Sequence, residues 1–426
     1  MLSPVASLLL RTQRGSWPAS RFSQFSTLCW MAVVWPTRTW ELTTLTEAQY
    51  SSWERDGFLV VPRIVPPDLA AGAARAIREF IGANDSEPST WYLNTLDIYK
   101  DTHPDGTKPH HGPSGMVQMF HHSSLWAIRQ LPLLHGVFSD IYGTRALYVT
   151  CDRAHFKPPQ NDTFPAWSNP GDVHKGLHWD IDIRPTAWPL PFAVQGVVYL
   201  EDTSTEQGAL HLVPRFHRRL ESFGSRDATN WTTGPSNRIV RNEVPDDVEA
   251  DAIPVGGMAG SLVIWHSALP HGPTPNRGYQ PRVSAYVTML PVDASPFVGA
   301  HRPSHTPLGM SDAGTLAYFD DTVELRRQSR ERRIERWEMR LPLLDQDPRE
   351  DQLPHRPPGE NNSKPAELTP LGRKLVGLDS WDWDESQPLD GANTVGNHTI
   401  NTTTVNTGDG TPFTGEAHVW TGPDEL

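Results

Sequence analysis

Residues 194–213 read VQGVVYLEDTSTEQGALHLV, in which two short apolar runs flank a polar segment that contains Thr, Glu and Gly. Apolar runs of this length, bounded by turn-forming residues, are typical of β-strands. The same alternation of apolar runs and turn clusters recurs at residues 146–150, 261–265 and 282–290. Because no long helical pattern separates these runs, they predict an all-β sandwich or jelly roll.

Helical patterns precede the predicted strands. Residues 46–53 predict a capped helix, followed by a short strand at 57–61. A second helix is predicted at 70–81, where Ala, Ile and Phe recur at helical spacing. The predicted fold class is therefore mainly β with flanking helices.

A further helix is predicted at residues 322–341, with Thr322 as its N-cap. The segment contains seven arginines, among them Arg333 and Arg336, and these are interleaved with glutamates. Such a mixture of charges indicates an ordinary solvated face rather than a binding site for a polyanion.

The composition excludes several classes of protein. The 426 residues include 37 Lys and Arg against 50 Asp and Glu, for a net charge of −13. This balance argues against a nucleic-acid binder and against a polybasic membrane anchor. With only Cys29 and Cys151, neither a disulfide framework nor a CxxC-type zinc site can form. No apolar run is long enough for a transmembrane segment.

The two ends of the chain differ from the middle. Residues 1–40 contain no Asp or Glu but several Arg and Ser, which predicts a mitochondrial transit peptide or, alternatively, a true start at Met31. The expected location is cytoplasmic or mitochondrial. The jelly-roll domain with its N-terminal helices is predicted at 41–300, and a helical or irregular extension at 301–386. Residues 387–426 are rich in Thr, Asn, Gly and Asp and are predicted to be disordered.

The segment His178-Trp179-Asp180 carries the strongest chemical signal. In a β-strand, residues i and i+2 point to the same side, so one strand can present an imidazole and a carboxylate together. Two histidines and one carboxylate on one face of an iron ion leave the opposite face open for a cosubstrate and O₂. This motif alone is weak, because short His-x-Asp segments also arise by chance.

A third ligand has to come from elsewhere in the chain. The predicted strand at 261–265 is followed by His266 and His271, and either histidine is a candidate. Arg282 then opens the next predicted strand, and an arginine across a pocket from a metal can hold a carboxylate through two hydrogen bonds.

The order of these motifs resembles the phytanoyl-CoA dioxygenase family of Fe(II)/2-oxoglutarate oxygenases. The resemblance covers roughly residues 45–292 and is specific in combination, although each motif alone is weak. It implies a double-stranded β-helix, the cupin-like jelly roll, with iron in its mouth. The matching segments, in order, are Gly57-Phe-Leu-Val-Val, Phe156-Lys-Pro-Pro, His178-Trp-Asp, Gly208-Ala-Leu-His-Leu-Val-Pro, and His271 eleven residues before Arg282.

The resemblance also implies roles for individual residues. His178, Asp180 and His271 would be the iron ligands, with His271 favoured over His266 by its spacing to the arginine. Arg282 would bind the far carboxylate of 2-oxoglutarate, whose keto-acid end chelates the metal. The lysine of the Phe156-Lys-Pro-Pro segment, Lys157, would line the cosubstrate or substrate side.

Two departures from the family pattern leave the secondary cosubstrate contacts open. Trp179 stands where Gln is common in the family, which makes it a candidate wall of the pocket. A hydroxyl residue is common two positions after the last histidine, whereas here Pro273 precedes Thr274. Trp179 and Thr274 are accordingly the further candidate cosubstrate-binding residues.

The implied reaction oxidises, most simply hydroxylates, an aliphatic C–H bond of a small organic or lipid-like metabolite. Fe(II), 2-oxoglutarate and O₂ are the implied cofactors, and succinate and CO₂ the co-products. Asp180 disfavours halogenation, because halogenating relatives lack this carboxylate. Two alternatives remain open: a non-catalytic metal-binding jelly roll, against which Arg282 argues, and a zinc hydrolase that uses the same ligands. Neither the substrate nor the oligomeric state is predicted.

Overall fold

The computed structural model describes residues 35, 38–92, 103, 111–168, 177–179, 183, 192–227, 244–292, 323–343 and 366–381. Its strands are β1 (Phe58–Val61), β2 (Met116–Val117), β3 (Leu147–Val149), β4 (Ala154–Lys157), β5 (Val194–Tyr199), β6 (Leu210–Leu212), β7 (Ile253–Val255), β8 (Leu262–His266), β9 (His271–Pro273), β10 (Arg282–Tyr286) and β11 (Met289–Pro291).

The α-helices are α1 (Glu47–Asp56), α2 (Pro67–Ile81), α3 (Ser123–Arg129), α4 (Pro132–Tyr142), α5 (Pro165–Ser168), α6 (Leu220–Asp227), α7 (Asp246–Glu249), α8 (Val323–Glu338) and α9 (Pro370–Val376). Short 3-10 helices occur at Pro88–Tyr92 and Phe216–Arg218. No helix within the described ranges is long and apolar enough to cross a membrane.

Two antiparallel sheets form the centre of the molecule. The large sheet has six strands in the order β1-β8-β5-β10-β4-β2, and the small sheet has three in the order β7-β6-β9. A bridge between His178 and His271 adds one more pairing at the β9 edge of the small sheet. Strands β11 and β3 form a separate two-stranded ladder. The predicted mainly β fold with flanking helices, arranged as a jelly roll, is confirmed.

Alternate residues of the large sheet belong to two hydrophobic clusters. The helix-side cluster includes Val194, Val198, Leu262 and Ile264 and lies against α2, α3 and α4. The inter-sheet cluster includes Val197, Tyr199, Val263 and Trp265, together with Leu210 and Leu212 of the small sheet. Because side chains of a strand alternate between its faces, the large sheet has a helix side and an inner face that the small sheet covers.

The N-terminal helix is set by local chemistry. Thr46 and Gln49 form a reciprocal capping box at the start of α1, with the Thr46 side chain accepting from the Gln49 amide at 3.2 Å. Gly57, with a φ of 76°, ends the helix in the left-handed conformation that suits glycine. The chain then enters β1 directly, as predicted.

The C-terminal helices correct one expectation. Arg333 and Arg336 on α8 are only 1% and 4% exposed, so the predicted solvated face is wrong for these two residues. The Arg333 guanidinium donates to the backbone oxygens of Val149, Leu375 and Val376 at 2.6–3.0 Å. Three of its hydrogen bonds satisfy carbonyl groups of β3 and α9, which is why a charged side chain can be buried here.

The apolar run at 282–290, predicted as one strand, is divided between two ladders. Its first half is β10 in the large sheet, and its second half enters β11, which pairs with β3. At the change of partner, the Val287 amide donates to Gly196 O at 3.0 Å, whereas Thr288 O accepts from the Thr150 amide at 2.8 Å. Hydrophobic periodicity does not reveal which strand a segment pairs with, so the switch is not visible in the sequence.

Several predictions concern residues outside the described ranges. These are the tail at 387–426, the N-cap Thr322, the ligand Asp180 and most of the extension at 1–40. Trp40, within that last segment, is described and contacts the domain, since its indole N–H donates to Asp140 O at 2.6 Å.

Candidate active site

His178 and His271 lie side by side at the edge of the small sheet. The two residues exchange backbone hydrogen bonds, His178 N to His271 O at 2.9 Å and His271 N to His178 O at 3.0 Å. Their imidazole centroids are 4.9 Å apart, with an angle of 45° between the ring planes. Two residues far apart in the sequence are thus held at a spacing that suits coordination of one metal ion.

The orientation of His271 is fixed by a hydrogen bond. Its Nδ1 lies 3.0 Å from Leu269 O, and because a carbonyl oxygen can only accept, Nδ1 carries the proton. The lone pair is therefore on Nε2, the nitrogen that would coordinate a metal. A hydrogen bond from the second ring nitrogen to a backbone carbonyl is a usual feature of metal-binding histidines.

His266, the alternative ligand, lies on the other side of the large sheet. It follows the alternation of β8, in which Leu262 and Ile264 belong to the helix-side cluster. Its ring stacks on Trp35 at 5.3 Å, and its Nδ1 accepts from the Ala268 amide at 3.0 Å. The structure therefore brings His271, and not His266, next to His178.

Asp180, the third predicted ligand, lies outside the described residues. Among those that the structure describes, no three His, Cys, Asp or Glu side chains are close enough to hold a metal ion. The position of Asp180 two residues after His178 remains the basis for assigning it to the same face.

Lys157 and Arg282 lie directly opposite each other on β4 and β10. Their neighbours Phe156 and Val283 belong to the helix-side cluster, so both cations point from the inner face of the large sheet. Lys157 Nζ donates to Thr274 O and Arg282 Nη1 donates to Gly208 O, each at 2.8 Å. Both side chains thus extend toward the small sheet, to the residue that follows β9 and to a residue that precedes β6.

These two cations are buried without a counter-ion among the described residues. Lys157 is 5% exposed and Arg282 is 2% exposed, and neither forms an ion pair with a described carboxylate. Burial, together with the charge of Arg282, lowers the pKa of Lys157 to about 7. Two adjacent buried cations form an electrostatic site for an anion, because an anion restores the interaction that water would have supplied.

The residues present fit a ferrous ion with a chelated dicarboxylate. The small sheet carries two imidazoles and the inner face of the large sheet carries two cations, a donor set that suits a ligand with a chelating end and a distal carboxylate. Arg282 Nε is buried and has no hydrogen-bond partner among the described residues, which leaves a donor for such a carboxylate.

Trp179 and Thr274 have partners within the protein. The Trp179 indole N–H donates to Ala268 O at 3.0 Å, and the ring packs against Phe216 with centroids 5.5 Å apart. The Thr274 hydroxyl donates to Ala209 O at 3.2 Å, while its carbonyl oxygen accepts from Lys157. Trp179 therefore affects the site through the backbone at Ala268, and Thr274 affects it through the position of Lys157.

Two residues of the inner face were not identified from the sequence. His155 precedes Lys157 by two positions and Ser284 follows Arg282 by two, so all four share one face. The period of two would have indicated both residues once Lys157 and Arg282 had been placed on strands. Their neighbours in sequence are apolar core residues, which concealed this face.

Comparison with known proteins identifies the family. A sequence model of the phytanoyl-CoA dioxygenases matches residues 53–284, more than half of the 426-residue chain. The chain belongs to the phytanoyl-CoA dioxygenase family. It is accordingly a non-haem iron, 2-oxoglutarate-dependent oxygenase that acts on a small molecule, with Fe(II), 2-oxoglutarate and O₂ as cofactors. The expected family, enzyme class and cofactors are confirmed.

Individual relatives are more distant. A Dictyostelium discoideum protein, provisionally named a phytanoyl-CoA dioxygenase, is 23% identical over 275 residues, which cover 57% of this chain and 74% of that protein. Among solved structures, the epimerase SnoN in complex with Fe3+, α-ketoglutarate and nogalamycin RO is 15% identical, with a TM-score of 0.38 over 63% of this chain and 94% of that one. EctD from S. alaskensis with bound Fe is 17% identical, with a TM-score of 0.35 over 62% and 82% of the two chains.

Proposed function

We propose that this phytanoyl-CoA dioxygenase family member hydroxylates an aliphatic C–H bond of a small organic or lipid-like metabolite and converts 2-oxoglutarate to succinate and CO₂. The observation that carries the proposal is the buried pair Lys157 and Arg282 on the inner face, toward the strand that carries His271. A fold that only bound a metal would gain nothing from burying two cations that have no counter-ion among the described residues, whereas a cosubstrate with a distal carboxylate needs them.

The iron ligands in this proposal are His178, Asp180 and His271. The reciprocal backbone bonds between the two histidines keep their rings at a constant spacing. The bond from His271 Nδ1 to Leu269 O selects the tautomer in which Nε2 is the ligand nitrogen. Iron bound there would supply the activation of O₂, with 2-oxoglutarate as the source of electrons.

The cosubstrate end of the site is formed by Arg282 and Lys157. The Arg282 guanidinium binds the distal carboxylate through two donors, and Lys157 adds a second positive charge beside it. Thr274 acts as a positioning residue, because its carbonyl oxygen holds Lys157 Nζ at 2.8 Å. Trp179 supports the turn before His271 through its bond to Ala268 O.

The inter-sheet cluster keeps water from the site. Trp265 is 2% exposed, and its ring centroid lies 5.0 Å from that of His271. Leu177 and Ile183, which flank the His178 segment, are 1% and 0% exposed. Such a lining lowers the local dielectric, which strengthens the interactions of bound anions and excludes water from the reaction.

The proposal is tested by adding Fe(II) and 2-oxoglutarate to the protein without oxygen and recording the visible absorption of the metal–keto-acid chelate. We expect the band with the wild-type chain and its loss in His178→Ala, His271→Ala and Asp180→Ala. Tight zinc binding without any chelate band would support a hydrolase instead. A chelate band that persists in all three variants would refute the ligand assignment.

The substrate class is tested by a panel of small organic and lipid-like metabolites, scored by release of succinate above the background without substrate. We expect a stimulating compound to gain one oxygen atom, detected by mass spectrometry, in stoichiometry with succinate. A product that has lost two hydrogens and gained no oxygen would replace hydroxylation by desaturation.

We propose further that the protein acts in the cytoplasm or in mitochondria. The support is the composition of residues 1–40, which contain arginines and serines without Asp or Glu. Residues 1–40 fused to a fluorescent protein should enter mitochondria if they are a transit peptide. A diffuse signal would favour the cytoplasm, and a secretory distribution would contradict both.

A further inference from the structure

Trp35 packs among four aromatic side chains of the domain. Its indole stacks on His217 and His266, with ring centroids 4.8 and 5.3 Å away. It meets Phe192 edge-on at 5.0 Å and lies 5.7 Å from the Trp53 ring. Contacts between aromatic rings at such distances stabilise beyond the area that they bury, so four of them together fix the position of the indole.

His266 holds the turn at 267–270, which leads to His271. Its Nδ1 accepts from the Ala268 amide at 3.0 Å, and its carbonyl oxygen accepts from the Leu269 amide at 2.9 Å. Because Nδ1 accepts, the proton of the neutral ring is on Nε2. Burial keeps the pKa of His266 well below its usual value, so the ring stays neutral and Nδ1 remains an acceptor for the turn.

The same turn orients the ring of His271. His271 Nδ1 donates to Leu269 O, inside the turn, at 3.0 Å. Ala268 O accepts from the indole of Trp179, the residue after His178. A carbonyl oxygen that accepts from one ring nitrogen of a histidine sets the orientation and the tautomer of that ring. A change in this turn would therefore move the nitrogen that binds the metal.

These contacts form a continuous path from Trp35 to the metal site. The path runs through the His266 ring and the turn after it to Leu269 O and His271. Chains of packed side chains and hydrogen bonds can carry coupling between separated groups. Trp35 itself lies outside residues 53–284, the part of the chain that matches the family model.

We propose that Trp35 is a positioning residue of the metal site, which acts through His266 on the orientation of His271. The inference rests on the proposed function, in which His271 binds iron. Without the indole, the His266 ring loses a stacking partner and gains room to rotate, so the Ala268 amide loses its acceptor in part of the population. The segment before α1 thereby contributes to metal affinity without contacting the metal.

The test measures binding of Co(II), a divalent metal that is stable in air, to the full-length protein by calorimetry and by the visible absorption of the bound ion. The variants are Trp35→Ala, Trp35→Phe, His266→Phe and His266→Asn. His266→Phe keeps an aromatic ring against Trp35 but removes the acceptor. His266→Asn keeps an acceptor for the amide two residues further along the chain, as in an Asx turn.

The control is Trp40→Ala, because Trp40 belongs to the same segment and is also anchored to the domain. Its indole N–H donates to Asp140 O at 2.6 Å, and its ring packs against Tyr50 and Gly143. These contacts are with α1 and with the end of α4. If the segment only stabilised the fold, Trp35→Ala and Trp40→Ala would affect metal binding to the same extent.

We expect His266→Phe to raise the Kd for Co(II) about tenfold, the lower end of the effect of groups that orient a metal ligand. Trp35→Ala should raise it about fivefold, because the indole acts one step further from the metal. Trp35→Phe, His266→Asn and Trp40→Ala should stay within about twofold of the wild type. In the His266→Phe background, Trp35→Ala should have no further effect, since the path is already interrupted.

Three results would overturn the positioning role while the proposed function stands. They are wild-type affinity in Trp35→Ala, an equal loss in Trp40→Ala, and additive effects of Trp35→Ala and His266→Phe. If His266→Phe does not fold, as judged by circular dichroism, the comparison of Trp35→Ala with Trp40→Ala decides the question. If the wild-type chain does not bind Co(II), the metal site itself is assigned wrongly and both proposals fail.

Discussion

Binding of 2-oxoglutarate should weaken as the pH rises, and Lys157→Met should remove this dependence. Burial and Arg282 lower the pKa of Lys157 to about 7 in the ligand-free protein. A carboxylate bound beside Lys157 favours the charged amine, so the pKa rises on binding and the ligand selects the protonated form. Affinity is therefore constant well below pH 7 and falls as the pH rises above that value.

The size of the effect follows from the pKa. With a pKa of about 7, roughly nine-tenths of the free protein carries protonated Lys157 at pH 6 and roughly one-tenth at pH 8. The Kd should therefore rise about tenfold between these two pH values. At pH 7 binding should take up about half a proton, which calorimetry detects as a dependence of the observed enthalpy on the buffer's ionisation enthalpy.

The assay is calorimetric titration of glutarate, a five-carbon dicarboxylate that lacks the keto group, into the protein at pH 6, 7 and 8. The protein is metal-free, so that a pH-dependent loss of metal from its histidine ligands cannot change the measured affinity. Lys157→Met should bind more weakly at pH 6 and show no tenfold rise. The control is Lys374→Met, since Lys374 lies on α9 over the Trp381 ring. An unchanged wild-type Kd between pH 6 and 8, or the same rise in Lys157→Met, would refute the reasoning.

Three further outcomes follow from the buried cations. Lys157→Met should stabilise the metal-free protein at neutral pH. The pKa of Lys157 is about 7 in the folded protein, below its ordinary value of 10.5. Between these pH values the unfolded chain therefore binds more protons than the folded chain. The free energy of unfolding of the wild type should accordingly rise from pH 7 toward pH 10.5, by at most ~5 kcal/mol. Urea unfolding of both chains should show their difference shrinking as pH rises, and parallel curves would contradict it. Arg282→Ala should raise the Kd for 2-oxoglutarate by about a hundredfold and leave metal affinity unchanged, whereas unchanged 2-oxoglutarate binding would disprove the assignment. Arg333→Met should lower the free energy of unfolding by about 3 kcal/mol, because buried carbonyl oxygens lose their donors. The matched change Glu335→Ala on the exposed face of the same helix should cost less than ~1 kcal/mol, and equal losses would count against this role.

The sequence predicted best those elements whose residue pattern depends only on neighbouring residues, namely the alternation of a strand and the capping of a helix. The run at 194–200 becomes β5, and the segment after Thr46 becomes α1, because strand alternation and helix capping depend on neighbouring residues. The division of 282–290 between two ladders could not be read in this way. It depends on β3 and on Gly196, which are distant in sequence.

The choice between His266 and His271 was open to a stricter argument from the sequence. If Val263 and Trp265 face one side of a strand, His266 must face the other side with Leu262 and Ile264. The structure follows this rule, and His266 stacks on Trp35 in an aromatic environment. What the rule could not supply was the pairing of His271 with His178, which requires the small sheet to be assembled.

The burial of Arg333 shows a different limit. Charge pattern predicts solvent exposure because isolated buried charges are costly. An arginine that donates several hydrogen bonds to backbone carbonyls avoids most of that cost, and three of these carbonyls belong to β3 and α9. Only the three-dimensional proximity of these elements makes the exception, so composition and spacing cannot reveal it.

The register of β4 against β10 couples the stability of the sheet to the chemistry of the site. Phe156 and Val283 pack in the helix-side cluster at 0% exposure, and this same register directs Lys157 and Arg282 to the inner face. A slip of one residue between β4 and β10 would turn the two cations toward the helices and the apolar residues toward the inner face. Packing of the apolar residues against the helices therefore fixes the register of the two strands strongly. The burial of Phe156 and Val283 in the helix-side cluster offsets the cost of burying Lys157 and Arg282 in the ligand-free site. Bound dicarboxylate then recovers part of this cost, so cosubstrate should stabilise the wild-type fold more than it stabilises Lys157→Met.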